Sequence, residues 1–150
     1  MNPAVEPSPA ADRLLGAHAD DSGTDFALWA PRATRVELAL IDEKHNQVNH
    51  DLVRDNEGVW SVHLAGVGPG QRYGYRVDGN WSPQTGERFN PAKLLLDPYA
   101  RAITGGVDYA GPIMDHTPES NYLPDPTDSS SAVPLSVVVA DTPAPTPLAE

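Results

Sequence analysis

The sequence predicts an all-β chain in which two antiparallel sheets pack face to face. Three observations carry this reading. Apolar and polar residues alternate with period two through successive segments between Thr24 and Asp78, and turn-forming residues interrupt them about every dozen residues. No segment offers a long amphipathic helix to cover a lone sheet, so a second sheet must do so. An immunoglobulin-like antiparallel β-sandwich followed by irregular loop segments is the expected fold.

The elements follow in order. Residues 24–30 place Phe26, Leu28 and Ala30 on one face, with Ala27 and Trp29 on the other. Residues 35–41 alternate Val36, Leu38 and Leu40 against Arg35, Glu37 and Ala39. The polar run 42–47 turns the chain, and residues 48–54 return as a weaker, more exposed strand. After the Asp55-Asn56-Glu57-Gly58 turn, residues 59–64 bring Trp60, Val62 and Leu64 together. Gly66-Val67-Gly68-Pro69-Gly70 breaks the chain again, and residues 71–78 align Tyr73, Tyr75 and Val77 opposite Arg72, Gly74 and Arg76. Trp29, Trp60, Tyr73, Tyr75 and Phe26 are therefore expected in the core, at about 1.5–3 kcal/mol per buried side chain.

The rest of the chain is punctuated differently. Residues 78–102 carry Gly79, Pro83, Gly86, Pro91 and Pro98 and must be mostly irregular. Within them Leu94, Leu95 and Leu96 stand between prolines that forbid a long helix, so the triplet should be tucked against the sandwich or another domain. Tyr99 is expected to be buried beside Leu95. The expected organisation is a disordered lead-in over 1–11, a sandwich module over 12–102, an irregular Pro/Gly/Asp-rich segment over 103–134, an isolated strand over 135–141, and a Pro-rich tail over 142–150.

Composition excludes several classes of function. The chain has no cysteine, so disulfides, thiolate catalysis and zinc–sulfur sites are out, and a cytoplasmic protein is expected. The first eleven residues lack the basic start and apolar run of a secretory signal, and no apolar stretch approaches the roughly 20 residues that span a bilayer. The formal charge is −11. All ten Lys and Arg lie at or before Arg101, and every charged residue after it is acidic. Nucleic acids and anionic membranes need a basic surface to release counterions, so neither is an expected partner. Neutral polysaccharides make no such demand.

Three stretches carry a resemblance. The first is Phe26-Ala27-Leu28-Trp29-Ala30-Pro31 with Ala33, Val36 and Leu38. The second is Gly58-Val59-Trp60 with the run from Gly66 to Gly79, which includes Gln71-Arg72-Tyr73-Gly74-Tyr75-Arg76-Val77-Asp78. The third is Arg88-Phe89-Asn90-Pro91-Ala92-Lys93-Leu94-Leu95-Leu96-Asp97-Pro98-Tyr99-Ala100. Together they resemble the early-set sandwich called carbohydrate-binding module family 48. The third run, with Ser136-Val137-Val138-Val139, resembles the isoamylase-type bacterial glycogen-debranching enzymes of glycoside hydrolase family 13 in particular. The first stretch also suits branching and maltooligosyl-trehalose enzymes, which share the module.

The resemblance implies a non-catalytic N-terminal module of an enzyme that hydrolyses α-1,6 branches in glycogen, bracing a catalytic barrel and contacting α-glucan. It fades near Ala140, before the barrel that carries the family's nucleophile, acid and supporting aspartate, so no catalytic residue is assigned and the chain alone is expected to be inactive. Cleavage of a glycosidic bond needs two carboxyl groups across it in a shielded cleft. The carboxylates here lie in turns and tails. A stand-alone glucan-binding or regulatory module, or an unrelated interaction domain of immunoglobulin-like shape, are the alternatives.

Trp81 is the candidate sugar platform, because it lies in a loop beside Asn80 and Ser82 with Gln84 close by. An exposed flat aromatic with hydrogen-bonding neighbours is what a pyranose ring needs. Trp81, Asn80 and Gln84 therefore form the candidate carbohydrate site. Arg88, Lys93 and Asp97 read first as ordinary hydrogen-bonded or ion-paired loop residues and second as a polar frame for their loop. His45, His50 and His63 lack the neighbours of a metal site, and Asp115-His116 has no serine or cysteine motif beside it. No cofactor or metal is expected.

Overall fold

The computed structural model describes residues 15–106, 111–117 and 120–140, with only the backbone of Asn121 included. The lead-in over 1–11 and the tail over 142–150 lie outside the described residues. The strands are β1 (Gly16–Asp20), β2 (Gly23–Trp29), β3 (Arg35–Ile41), β4 (Gln47–Asp51), β5 (Val53–Arg54), β6 (Val59–Ala65), β7 (Arg72–Asp78), β8 (Trp81–Ser82), β9 (Glu87–Arg88), β10 (Ile103–Thr104), β11 (His116–Thr117), β12 (Ser120–Pro124) and β13 (Leu135–Val137). One sheet runs β1-β2-β6-β5 and the other β10-β13-β7-β3-β4; β8–β9 and β11–β12 are separate ribbons. Every strand pair is antiparallel, and the fold is the immunoglobulin-like sandwich that the alternation predicts.

The core lies between the sheets. Phe26, Leu28, Trp60, Val62 and Leu64 meet Val36, Leu38, Tyr73, Tyr75 and Val77 there, as strand period two requires. Phe26 and Tyr73 meet edge to face at 5.1 Å, and Tyr73 and Tyr75 at 6.0 Å. Such pairs contribute about 0.5–1.5 kcal/mol beyond burial. The Tyr73 hydroxyl donates to Asp97 Oδ2 at 2.7 Å. Burial, and then that carboxylate, push its pKa far up.

The outer face of the second sheet is also covered, which resolves the leucine triplet. Gly74 leaves bare backbone on that face, and the Leu94 side chain fills the space; a Cβ at Gly74 would stand 2.7 Å from it. Leu94 joins Ala39, Ile41 and Leu135 in a second apolar cluster. Leu95 exchanges backbone hydrogen bonds with Tyr75 at 2.8 and 2.9 Å, extending the sheet edge beyond β13. Its side chain and that of Leu96 remain exposed.

Several expectations are corrected. Trp29 is 61% exposed rather than core. The β1 strand begins opposite Ala27, so Trp29 at the end of β2 has a strand neighbour only at Val59. Tyr99 is exposed, not buried; its backbone and Cβ cover Gly16 while the ring turns outward. The strand expected over 135–141 is not isolated: Leu135–Val137 is hydrogen-bonded between β7 and β10. Residues 48–54 are not one strand, because Leu52 divides them between the two sheets.

Candidate functional site

The candidate carbohydrate site stands on the β8–β9 hairpin. Trp81 pairs with Arg88 and Ser82 with Glu87, and a one-turn 3-10 helix over Pro83–Thr85 closes the loop. Pro83 presets the first turn, and Gly86 supplies the left-handed residue (φ 86°) that ends it. Trp81 is half-buried; its indole N–H donates to the Tyr122 carbonyl at 2.6 Å. The Arg88 guanidinium sits 4.9 Å from the indole centroid in a cation–π contact. Trp81 lines a groove of about 380 Å³ with Asp78, Phe89, Asn90 and Pro124. Asn80 and Gln84 are both exposed: Asn80 flanks Trp81 in the chain and Gln84 sits on the hairpin turn, and neither lines that groove.

Three cations pin the segment after β10 onto the sandwich. Arg88 forks Asp115 through Nε at 2.8 Å and Nη2 at 2.9 Å. Buried Lys93 donates to the Pro112 and Thr127 carbonyls and to Asp125 Oδ2. Buried Arg76 grips Gln47, Asp128 and the carbonyls of Pro91 and Ala92. Arg88 and Lys93 are thus ion-paired to that segment, while Asp97 accepts from the Tyr73 hydroxyl and the Tyr99 amide. Sequence reasoning missed Asp115, Tyr122, Asp125 and Asp128, because nothing local marks a partner about thirty to fifty residues away.

The Arg88 fork holds the Asp115 carboxyl down to about 2, from an ordinary 3.8, helped by His116. A depressed carboxylate stabilises above its ordinary pKa and loses that contribution as pH falls through the depressed value. Acid titration is therefore expected to leave the Arg88–Asp115 clamp intact down to about pH 4 and to release it toward pH 2. The emission of Trp81, which Arg88 covers, reports the release. A transition in Trp81 emission centred above pH 5 would contradict it.

A second groove, of about 430 Å³, lies beside the first and shares Phe89 and Asn90 with it. Leu28, Ala30, Val77 and Leu95 contribute its apolar lining, and exposed Trp29 and Arg32 also line it. The Trp29 indole N–H donates to the Glu57 carbonyl at 3.3 Å. The alternation that placed Trp29 in a strand concealed this exposure.

One arrangement imitates a nucleophilic triad. His63 Nδ1 is 2.6 Å from Asp25 Oδ1, and Nε2 is 3.3 Å from Ser22 Oγ. However, the Ser22 hydroxyl donates to Asp20 Oδ1 at 2.6 Å, and the Ser22 and Gly23 amides point at the same oxygen. The hydroxyl proton is committed to a carboxylate rather than to the imidazole, and the amides that would bind an oxyanion are spent. It is a turn, not a catalyst. Among the described residues no group of His, Asp and Glu side chains could hold a metal ion, and no helix is long and apolar enough to cross a membrane.

Comparison with known proteins places the chain. Residues 14–100 match the model of carbohydrate-binding module 48, the isoamylase N-terminal domain. Over 128 residues the chain is 45% identical to a protein named glycogen debranching enzyme from Salmonella typhi, covering 84% of this chain and 19% of that protein. The chain thus spans about a fifth of the length of the curated relatives it matches. Among solved structures it is similar to the Klebsiella pneumoniae pullulanase complexed with maltotriose, with a TM-score of 0.57 and 25% identity over 85% of this chain and 10% of that one. The pullulanase of Anoxybacillus sp. LM18-11 shares the fold at a TM-score of 0.54 and 24% identity, over 91% of this chain and 15 to 16% of that one depending on the structure. The TM-score and identity belong to its maltotriose complex. With more than half of its residues inside that family's model, the chain belongs to the carbohydrate-binding module 48 family, the N-terminal domain of isoamylase-type enzymes.

Proposed function

We propose that this chain serves as the N-terminal module of a glycogen-debranching hydrolase, bracing the catalytic barrel and contacting α-glucan beside Trp81. The observation that carries the reading is the 45% identity to glycogen debranching enzymes across 84% of the chain. Exposed Leu96, Tyr99 and Ile103, close together in sequence, supply apolar surface for an adjoining domain. Trp81, fixed by Tyr122 and Arg88, supplies a preorganised aromatic wall, and Asp78 lines the same groove with acceptors for sugar hydroxyls. The chemistry of branch hydrolysis belongs to the barrel in this reading, and the module's part is to position glucan and shape the cleft.

Two measurements test it. Migration in native gels containing glycogen is expected to be retarded, with Trp81→Ala weakening the interaction about tenfold through the lost stacking surface. A separately expressed catalytic portion of a glycogen debranching enzyme is expected to co-elute with the chain. Unretarded migration rejects the glucan contact. Failure to co-elute rejects the bracing role.

A further inference from the structure

We infer that the groove beside exposed Trp29 is a second α-glucan site, separate from the Trp81 groove. The inference rests on the carbohydrate-module reading above but not on Trp81. Trp29 is 61% exposed although it ends a strand whose other face belongs to the core. Here the ring is not loose, because its N–H is tied to the Glu57 carbonyl at 3.3 Å. The adjacent groove, at about 430 Å³, falls within the roughly 300–1,000 Å³ of small-molecule sites.

The chemistry of the groove selects the occupant. A pyranose presents an apolar C–H face flanked by neighbouring hydroxyls that both donate and accept. The Trp29 indole and the apolar lining around Leu28, Val77 and Leu95 suit the first. Arg32 and Glu87 suit the second, one as a planar donor and the other as a planar acceptor. Among the described residues neither side chain has an ion-pair or hydrogen-bond partner, whereas Asn90 and Asp115 in the same lining are committed to the clamp. Among the described residues Arg32 and Glu87 offset one another, Arg88 is answered by Asp115 and Lys93 by Asp125, which disfavours a charged ligand and suits an uncharged sugar chain. Arg88 stacks on Trp81 and also lines the Trp29 groove, so the two grooves adjoin without merging. Continuity through Phe89 and Asn90 lets one long chain touch both, which converts two weak contacts into a stronger one.

The test is an NMR titration of the whole 150-residue chain. The three indole N–H signals are assigned from Trp29→Phe, Trp60→Phe and Trp81→Phe, and maltoheptaose is added with cellohexaose as control. The Trp29 signal is expected to shift and saturate with maltoheptaose only. Arg32→Ala is expected to weaken that response about threefold, and Trp29→Ala to weaken glycogen retention about tenfold. Trp29 lies outside the core, so its loss leaves the fold intact. A Trp29 signal that stays still while Trp81 shifts overturns this site and leaves the Trp81 reading standing. A shift at Trp29 alone supports this site and rejects the Trp81 contact. A Trp29 signal moved only by a catalytic barrel, and not by glucan, overturns the site in favour of a domain contact.

Discussion

Replacing Lys93 with alanine is expected to destabilise the chain by about 3–5 kcal/mol, the usual cost of stripping one partner from a buried charged network. The ammonium is buried, and it donates to Thr127 O at 2.6 Å and to Pro112 O and Asp125 Oδ2 at 3.0 Å each. Its removal takes the ammonium from two carbonyls at once and leaves the Asp125 carboxylate with Thr127 alone among these partners. Thr127, and then Lys93, also keep Asp125 charged below the ordinary carboxylate range, and the second of these supports disappears with the ammonium. The fall in stability should be seen in urea unfolding followed by tryptophan emission. Limited proteolysis should then cut within 111–128 before the sandwich. The milder Asp125→Asn leaves both carbonyls holding the ammonium and is expected to lose less than half as much. Equal midpoints for Lys93→Ala and the unmodified chain would refute the idea that this cation anchors the segment.

Gly23→Ala is expected to be at least as damaging, above about 3 kcal/mol, for a different reason. Gly23 has φ 150°, and a Cβ there would stand 2.2 Å from the Leu64 carbonyl oxygen and 2.8 Å from Ala65 Cα. Both are backbone atoms of the neighbouring strand, so relief requires β2 and β6 to part at the register Gly23 with Ala65. Gly86 provides the control. Its φ of 86° is equally unsuited to a side chain, yet nothing lies within 4 Å of the added carbon. Gly86→Ala should therefore cost only the left-handed backbone term of about 1–2 kcal/mol. Thermal melts of the two variants separate collision from conformation; similar losses would show that the strand contact yields.

How much of this was legible in the sequence depends on the range of the forces involved. Period two alone located β3 at Arg35–Ile41 and the ring-bearing face of β7, because one face of each is sealed by the other sheet. The β1 strand escaped notice because its inward residues are only Ala17 and Ala19, too small to mark an apolar face. Trp29 was misplaced because alternation fixes which face a residue takes but not whether a neighbouring strand reaches far enough to cover it. Arg76, on the face opposite the tyrosines, is buried for a related reason. Its partners Gln47, Pro91, Ala92 and Asp128 lie between fifteen and fifty-two positions away, and no local pattern encodes those meetings. At the candidate site Trp81 stood out by its loop context, but Tyr122 and Asp115, which hold it and its covering guanidinium, came from a stretch that looked structureless.

The division at Leu52 has a wider consequence. The run from Gln47 to Arg54 bonds first to β3 and then to β6, and the Leu52 amide donates to the Val36 carbonyl at 2.9 Å where it crosses. It works as a stitch through two pieces of cloth: neither can be peeled off while the thread holds. Opening should accordingly be all-or-none, with amide exchange slowing in step on either side of the seam.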